Sequence, residues 1–410
     1  MQKSPEKILA FLILWLLIFT NSCVPINSIP TEPVPNTQSN QSPLPNHTLT
    51  TAVEPKSTML PTTTKTPLPT VTSAVPSITS TKINKDINPL TGLEVDNPGT
   101  LNRRPIAVKV QLFPRGQRPP WGISKADIVF DYYQNNGVTR LTAVFYGNDA
   151  DQVGPIRSAR LFDLDIIKMY KAFFVFGLAD WRIYDRLKQS AFSDRLVVEK
   201  YGSCPPLCRI NPDGYNHLLL DTNKLPKYFS EGEISNQRQE LVSNQFDEIP
   251  PQDGSPAESI FVRISHSAYN RWDFDPFTDR YLRFQDTHEG TPQEEEFEPL
   301  LDQLADQQIA SDNVVILFLA HRYAYQTKAG AKEVFNIKFT GNGKAKAFRN
   351  GQMYNLHWSR EDSDALLNLT FPDGTPYSFR PGNTWFQLLG KSSTTTEIRD
   401  GIWRFEFKVP

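Results

Sequence analysis

The string Gly154-Pro155-Ile156-Arg157-Ser158-Ala159-Arg160 gathers two guanidinium groups three residues apart, a hydroxyl between them and a glycine–proline turn in front. Arginine forks match the geometry of carboxylate and phosphate. If the string opens a helix, the unpaired backbone N–H groups of the first turn and the positive end of the dipole act at the same place. Arg157 and Arg160 then share a face, and Ser158 either donates its hydroxyl to an anion or caps the helix. Arg140, at the start of a candidate strand, is expected to join them. Two arrangements compete. In one the arginines form a pocket for an anionic ligand, a cell-wall polymer or a peptide carboxylate. In the other they pair with Asp127, Asp163, Asp165 or Asp180 and hold the fold together. The candidate binding set is therefore Arg140, Arg157, Ser158, Arg160, Asp127, Asp163 and Asp180. Asp163, Asp165, Asp180 and Asp185 also admit acid–base chemistry on a glycan, with Ser158 beside Asp163 or Asp180, but only at a carboxylate separation that tertiary structure sets.

Other reaction types find little support. The chain has no nucleophile elbow, phosphate-binding Walker loop, zinc His-Glu-x-x-His or dinucleotide glycine fingerprint. His47, His217, His266, His288, His321 and His357 never fall at ligand spacing, so no metal and no cofactor is expected. Cys204-Pro-Pro-Leu-Cys208 reads as a small disulfide loop, half of a metal site or two free thiols. Trp121, Trp181, Trp272, Trp358, Trp385 and Trp403 stack on sugar rings if exposed on a concave face and belong to the core if buried.

The elements that must position these groups alternate in the first half of the body. Residues 106–110 (Ile-Ala-Val-Lys-Val) have the apolar, β-branched character of a buried strand. Residues 128–133 and 139–146 pair across the turn signal Asn135-Asn136-Gly137. Residues 160–172 carry apolar positions at helical spacing, and 173–177 form another buried strand. Residues 243–257 turn polar and proline-rich, which marks a boundary. Beyond it, strands are expected at 259–264, 271–284, 313–320, 334–340, 344–349, 352–358, 367–371, 375–380 and 385–388, separated by Gly341-Asn342-Gly343, Asn350-Gly351, Pro372-Asp373-Gly374 and Pro381-Gly382-Asn383. The acidic stretch 289–298 reads as a solvated loop. The fold class is thus α+β: an N-terminal mixed α/β lobe over residues 87–250 and a mostly β lobe over 255–410, with a cleft between them.

Composition accounts for what precedes the body. A hydrophobic share of 39% and 33 prolines in 410 residues require a large unfolded part. Lys3 and Lys7 precede an apolar run over 8–19, which is short for a spanning helix and of signal-peptide length. Thr20-Asn21-Ser22-Cys23 is similar to a lipobox, although Leu is commoner at the position of Thr20. Residues 1–23 thus read as a signal peptide ending at a lipidated Cys23; an uncleaved anchor and plain secretion are the alternatives, and all three hold the body outside the cytoplasm. Residues 24–86, rich in Pro, Thr and Ser, form a disordered tether whose coil span is on the order of 40 Å. A net charge of -2 supplies no global field for nucleic acid, so the expected partners are a cell-envelope polymer or an envelope protein, with the membrane reached through the lipid.

Several strings carry a resemblance to a known family. Asn88-Pro89-Leu90-Thr91-Gly92, Arg103-Arg104-Pro105, Ala126-Asp127-Ile128-Val129, Gly137-Val138-Thr139-Arg140 and Val153 to Arg160 match in the first half. Gly341-Asn342-Gly343-Lys344-Ala345, Arg349-Asn350-Gly351, Trp358, Asp373-Gly374 and Pro381-Gly382-Asn383-Thr384-Trp385 match in the second. With these the chain resembles the YerB-like bacterial lipoproteins, the DUF3048 group, over nearly everything after the tether. Asn216-His217-Leu218 inverts the group's His-Asn-Leu order, and Cys204 to Cys208 has no counterpart in it. The resemblance implies an extracytoplasmic place and a two-lobed body, and it implies no activity.

Overall fold

The computed structural model describes residues 86–211, 217–241, 244–325 and 334–408. The export segment with Cys23, the tether up to residue 85, Asn216 and Ser243 lie outside the described residues. The first half contains β1 (Ile106–Val110), β2 (Ile128–Asn135), β3 (Val138–Phe145), α1 (Asp163–Met169), β4 (Phe173–Phe176), α2 (Trp181–Lys188), β5 (Leu196–Val198) and α3 (Leu225–Glu231). The second half contains β6 (Ser259–Arg263), β7 (Tyr269–Asp275), β8 (Arg280–Asp286), β9 (Phe297–Pro299), β10 (Asn313–Tyr325), β11 (Val334–Lys338), β12 (Gly341–Arg349), β13 (Gln352–Arg360), β14 (Asn368–Thr370), β15 (Thr384–Gly390), β16 (Thr394–Arg399) and β17 (Ile402–Glu406). Very short strand pairs complete the pattern. Strand exceeds helix, 43% to 13%, so the fold is mostly β, and among the described residues its α-helices are three short ones beside brief 3-10 turns.

The strands do not sort into an N-terminal and a C-terminal lobe. One large mixed sheet runs β14-β13-β12-β10-β15-β2-β3-β1-β4-β5, and β15 lies parallel between β10 and β2. The ladders Ile128↔Thr384 to Tyr132↔Leu388 thereby join the two sequence halves within a single sheet. All described residues belong to one compact unit. The expected separate α/β lobe and inter-lobe cleft are corrected on this point. The α/β character survives locally, where β4 and β5 pair in parallel across the α2 crossover. The physical reason lies in β2 and β15, both wholly or nearly wholly buried: each needs a paired neighbour on either side, and each finds one in the other half of the chain.

A second sheet, β9-β8-β7-β6-β17-β16, packs on one face of the first. Trp272 and Trp385 meet edge to face at 5.2 Å in that interface, and the fully buried Arg283 guanidinium binds Asp131 at 2.9 Å between them. The opposite face is covered by α1 and α2, whose Ile166, Ile167, Ile183 and Leu187 pack on Phe130, Tyr132, Phe174 and Phe176. Residues 394–399 and 402–406 form strands with no counterpart among those read from sequence, whereas 375–380 makes only isolated bridges. The acidic stretch 289–298 is more than a solvated loop: Glu295 binds Arg263 and Arg404 at 2.7 Å each, and Phe297 begins β9. Among the described residues, no helix is long and apolar enough to cross a membrane.

Candidate functional site

Register places Lys109, Thr142, Tyr132 and Arg140 on the same face of the large sheet, since Lys109 pairs with Thr142, Phe130 with Thr142 and Tyr132 with Arg140. That face lies under the start of α1. Asp163, the first residue of the helix, is fully buried, and its carboxylate collects the polar groups beneath it. Oδ1 accepts from the Tyr132 and Thr142 hydroxyls at 2.6 Å each and from Lys109 Nζ at 3.3 Å, while Oδ2 accepts from the backbone N–H of Arg160 at 2.6 Å. The Lys109 ammonium also donates to the Tyr132 and Thr142 oxygens. Burial pushes Lys109 down to about 7, against the opposing pull of Asp163. A lysine in so apolar a strand persists because every one of its donors meets an oxygen.

Residues 154–160 do not open the helix, contrary to the expectation. They run extended, because tertiary partners take their backbone groups. Arg157 N–H donates to Lys109 O, Gly177 N–H to Arg157 O, and Ala159 N–H to Leu178 O. Gly154 sits so close to Leu218 and Leu219 that a Cβ would lie 2.6 Å from a leucine methyl. The helix starts only at Asp163, and the residues read as helical at 160–162 and 170–172 lie outside it.

Arg140, Arg157 and Arg160 still converge, but through strand geometry and not along a helix face. The Arg140 guanidinium donates to Ser158 O at 2.7 Å. Arg160 donates to Ala159 O at 2.8 Å, to Ser158 O at 3.3 Å and to Gln134 Oε1 at 2.7 Å. Among the described residues, neither the Arg140 nor the Arg160 side chain bonds a carboxylate. Burial, followed by the charges of Arg160 and Arg157, brings Arg140 down to about 9. Arg160 is lowered chiefly by burial, with Arg157 adding to it and Tyr132, Asp163 and Asp180 opposing. Ser158 contributes its carbonyl oxygen to both forks, and its hydroxyl makes no hydrogen bond among the described residues.

The aspartates go elsewhere. Asp127 is buried about five residues along β2 from Tyr132, roughly 17 Å at the rise of a strand. Its oxygens accept from Asn88 Nδ2 at 3.0 Å and from the N–H groups of Tyr146 and Gly147 at 2.5 and 3.0 Å. Burial raises it to about 6, and it belongs to the turn that anchors residues 88–92, outside the arginine cluster. Asp180 caps α2, binds Arg182 at 2.8 Å and opposes the lowering of Arg160 through its charge. Asp165 binds the buried Arg360 at 2.8 Å. Asp163 is enclosed and its oxygens are occupied, so it is not placed to meet a substrate.

Lys109, Tyr132, Thr142 and Gln134 were not among the candidates, although one signal was present: Lys109 interrupts an otherwise apolar five-residue strand. Cys204 and Cys208 are joined in a disulfide. Trp272, Trp358 and Trp385 are core, whereas Trp181, the first residue of α2, is 71% exposed. No cluster of three or more His, Cys, Asp or Glu side chains able to hold a metal occurs among the described residues.

The model described as "Protein of unknown function (DUF3048) N-terminal domain" matches residues 90–230, and the "Protein of unknown function (DUF3048) C-terminal domain" matches residues 260–386. A Bacillus subtilis (strain 168) protein named "Putative lipoprotein YerB" is 26% identical over 314 residues, covering 73% of this chain and 85% of its own. The crystal structure of the YerB protein from Bacillus subtilis superposes with a TM-score of 0.61 at 22% identity, over 74% of this chain and 96% of that one, which shows a shared fold.

Proposed function

Since the chain belongs to the DUF3048 family and carries both of its domains, we propose that it is an extracytoplasmic lipoprotein, held at the membrane through Cys23, whose body binds an anionic envelope polymer at Arg140, Arg157 and Arg160. The name of the Bacillus relative supports the location, together with Lys3, Lys7, the apolar run 8–19 and the small residue before Cys23. One observation carries the binding reading. Three guanidinium groups crowd together, two of them donate to carbonyl and amide oxygens alone, and the nearest buried carboxylate is already held by Lys109, Tyr132 and Thr142. A phosphate or carboxylate arriving there accepts bidentate bonds from Arg140 and Arg160. The ligand class is a polymer of phosphodiesters or uronates, and the role requires no bond to be made or broken by the protein.

Full-length protein is titrated with inorganic polyphosphate, polygalacturonate and neutral dextran while the melting temperature is followed. Either polyanion is expected to raise it by several degrees, as about 2.7 kcal/mol accrues at a hundredfold excess over Kd. Dextran is expected to have no effect, and added salt to weaken the response. Arg140→Gln with Arg160→Gln is expected to abolish the shift. A shift that survives both substitutions overturns the proposal.

A further inference from the structure

The alternation that builds the core changes character along β12 and β13. Phe348 and Met353, paired across the two strands, face the second sheet as buried core. Two and four residues further along, the same face carries Lys346 opposite Asn355 and Lys344 opposite His357. Phe318 of β10 shares that face, one residue beyond the Leu317↔Ala345 pair. There the two sheets part, and Phe318, Lys344, Lys346, His357, Lys391 and Thr395 line a cavity of about 650 Å³. That volume suits a small ligand. Lys391 follows β15 and is fixed by its N–H bond to Leu319 O at 3.0 Å, while Thr395 enters from β16 of the second sheet.

No Asp or Glu lines this cavity. Among the described residues, none of its three ammonium groups forms an ion pair. Lys346 instead donates to Asn355 Oδ1 and lies 5.2 Å from the centre of the Trp403 ring. Burial, with the charge of Lys344 behind it and that of Glu397 opposing, weakens its hold on a proton. A strand face that would ordinarily continue the apolar core thus carries Lys344 and Lys346, which with Lys391 line an opening shared with Phe318, an arrangement matched to a ligand that is anionic at one end and apolar at the other.

We propose that this opening binds a small amphiphilic anion, its phosphate or carboxylate head held by Lys344, Lys346 and Lys391 and its apolar body laid against Phe318. The site shares no residue with the arginine cluster, so either can fail without the other. Hexyl phosphate is the probe, titrated calorimetrically into the full-length protein, with hexanol as the neutral control. Saturable binding is expected, weakened at least tenfold by Lys344→Gln with Lys391→Gln and unchanged by Arg140→Gln with Arg160→Gln. Hexanol is expected to bind far more weakly and without dependence on the lysines. Lys344 and Lys391 are exposed, so the substituted chain is expected to keep its melting temperature. Lys391→Glu alone, which reverses one charge, provides a second variant with the same expectation. Glucose 1-phosphate and dihexanoyl phosphatidylglycerol then serve as competitors, and the one that displaces hexyl phosphate identifies a sugar phosphate or a lipid head group as the source. Absence of saturable binding, insensitivity to the lysine substitutions, or loss through the arginine substitutions overturns the proposal.

Discussion

Asp163 does more for this protein than either of the arginines that draw attention to its neighbourhood. Its carboxylate is the acceptor for Lys109, Tyr132, Thr142 and the backbone of Arg160, all beneath α1 and out of reach of water. The two sides of the Lys109–Asp163 pair are therefore unequal. Asp163→Ala strands a buried ammonium and two hydroxyl donors and is expected to cost about 3–5 kcal/mol. Lys109→Met leaves Asp163 with three donors and is expected to cost clearly less. Urea denaturation of the two variants checks this, and equal losses would show that the network is not centred on the carboxylate. Only half of this network was legible in advance. Asp163 was a candidate because it follows the arginines closely in sequence, whereas Lys109 and Thr142 reach it through β1–β3 register, which no local spacing encodes.

At the scale of elements, local rules succeeded where the chain's neighbours in space agreed with them. Asn136 and Gly137 both take positive φ, 50° and 76°, and close the β2–β3 hairpin as the Asn-Asn-Gly string implies. Gly154 to Arg160 failed the same kind of reading because β1 and residues 177–178 capture its N–H and C=O groups. β10 shows a further consequence of burial. His321, inside that strand, is fully buried against Phe407, and among the described residues its Nε2 has no hydrogen-bond partner. Burial lowers it from 6.5 to about 4. A base with a depressed pKa is protonated in the unfolded chain first, so the unfolded state binds more protons between pH 6.5 and 4 and stability falls as pH drops through that window. The loss reaches at most about 3 kcal/mol. In His321→Phe, denaturation midpoints measured from pH 7 to 4 are expected to show a shallower decline than the natural chain; an identical slope would assign the acid sensitivity to other groups.

For the molecule as a whole, the decisive feature is β15, a strand from the end of the chain inserted between β2 and β10. The stacked Phe130 and Phe386 rings, 5.0 Å apart, and the Arg283–Asp131 pair add side-chain ties to that backbone pairing. The two matched family segments are consequently parts of one folding unit. A fragment spanning residues 86–250 leaves β2 as an open apolar edge and is expected to lack a cooperative melt and dispersed amide resonances, which return on co-expression with residues 251–410. A sharp, reversible melt of the isolated fragment would show that the first half folds without β15. Sequence alone determined the Pro/Thr/Ser-rich composition of residues 24–86, most strand positions and the family, because apolar runs, turn residues and motif strings act locally. Tertiary structure decided which aspartate meets which cation, that the arginine string is extended, that two halves share one sheet and that a row of lysines meets Phe318 at an opening. Each of those depends on pairing between residues tens to hundreds of positions apart, and register is set by the shared burial of both partners.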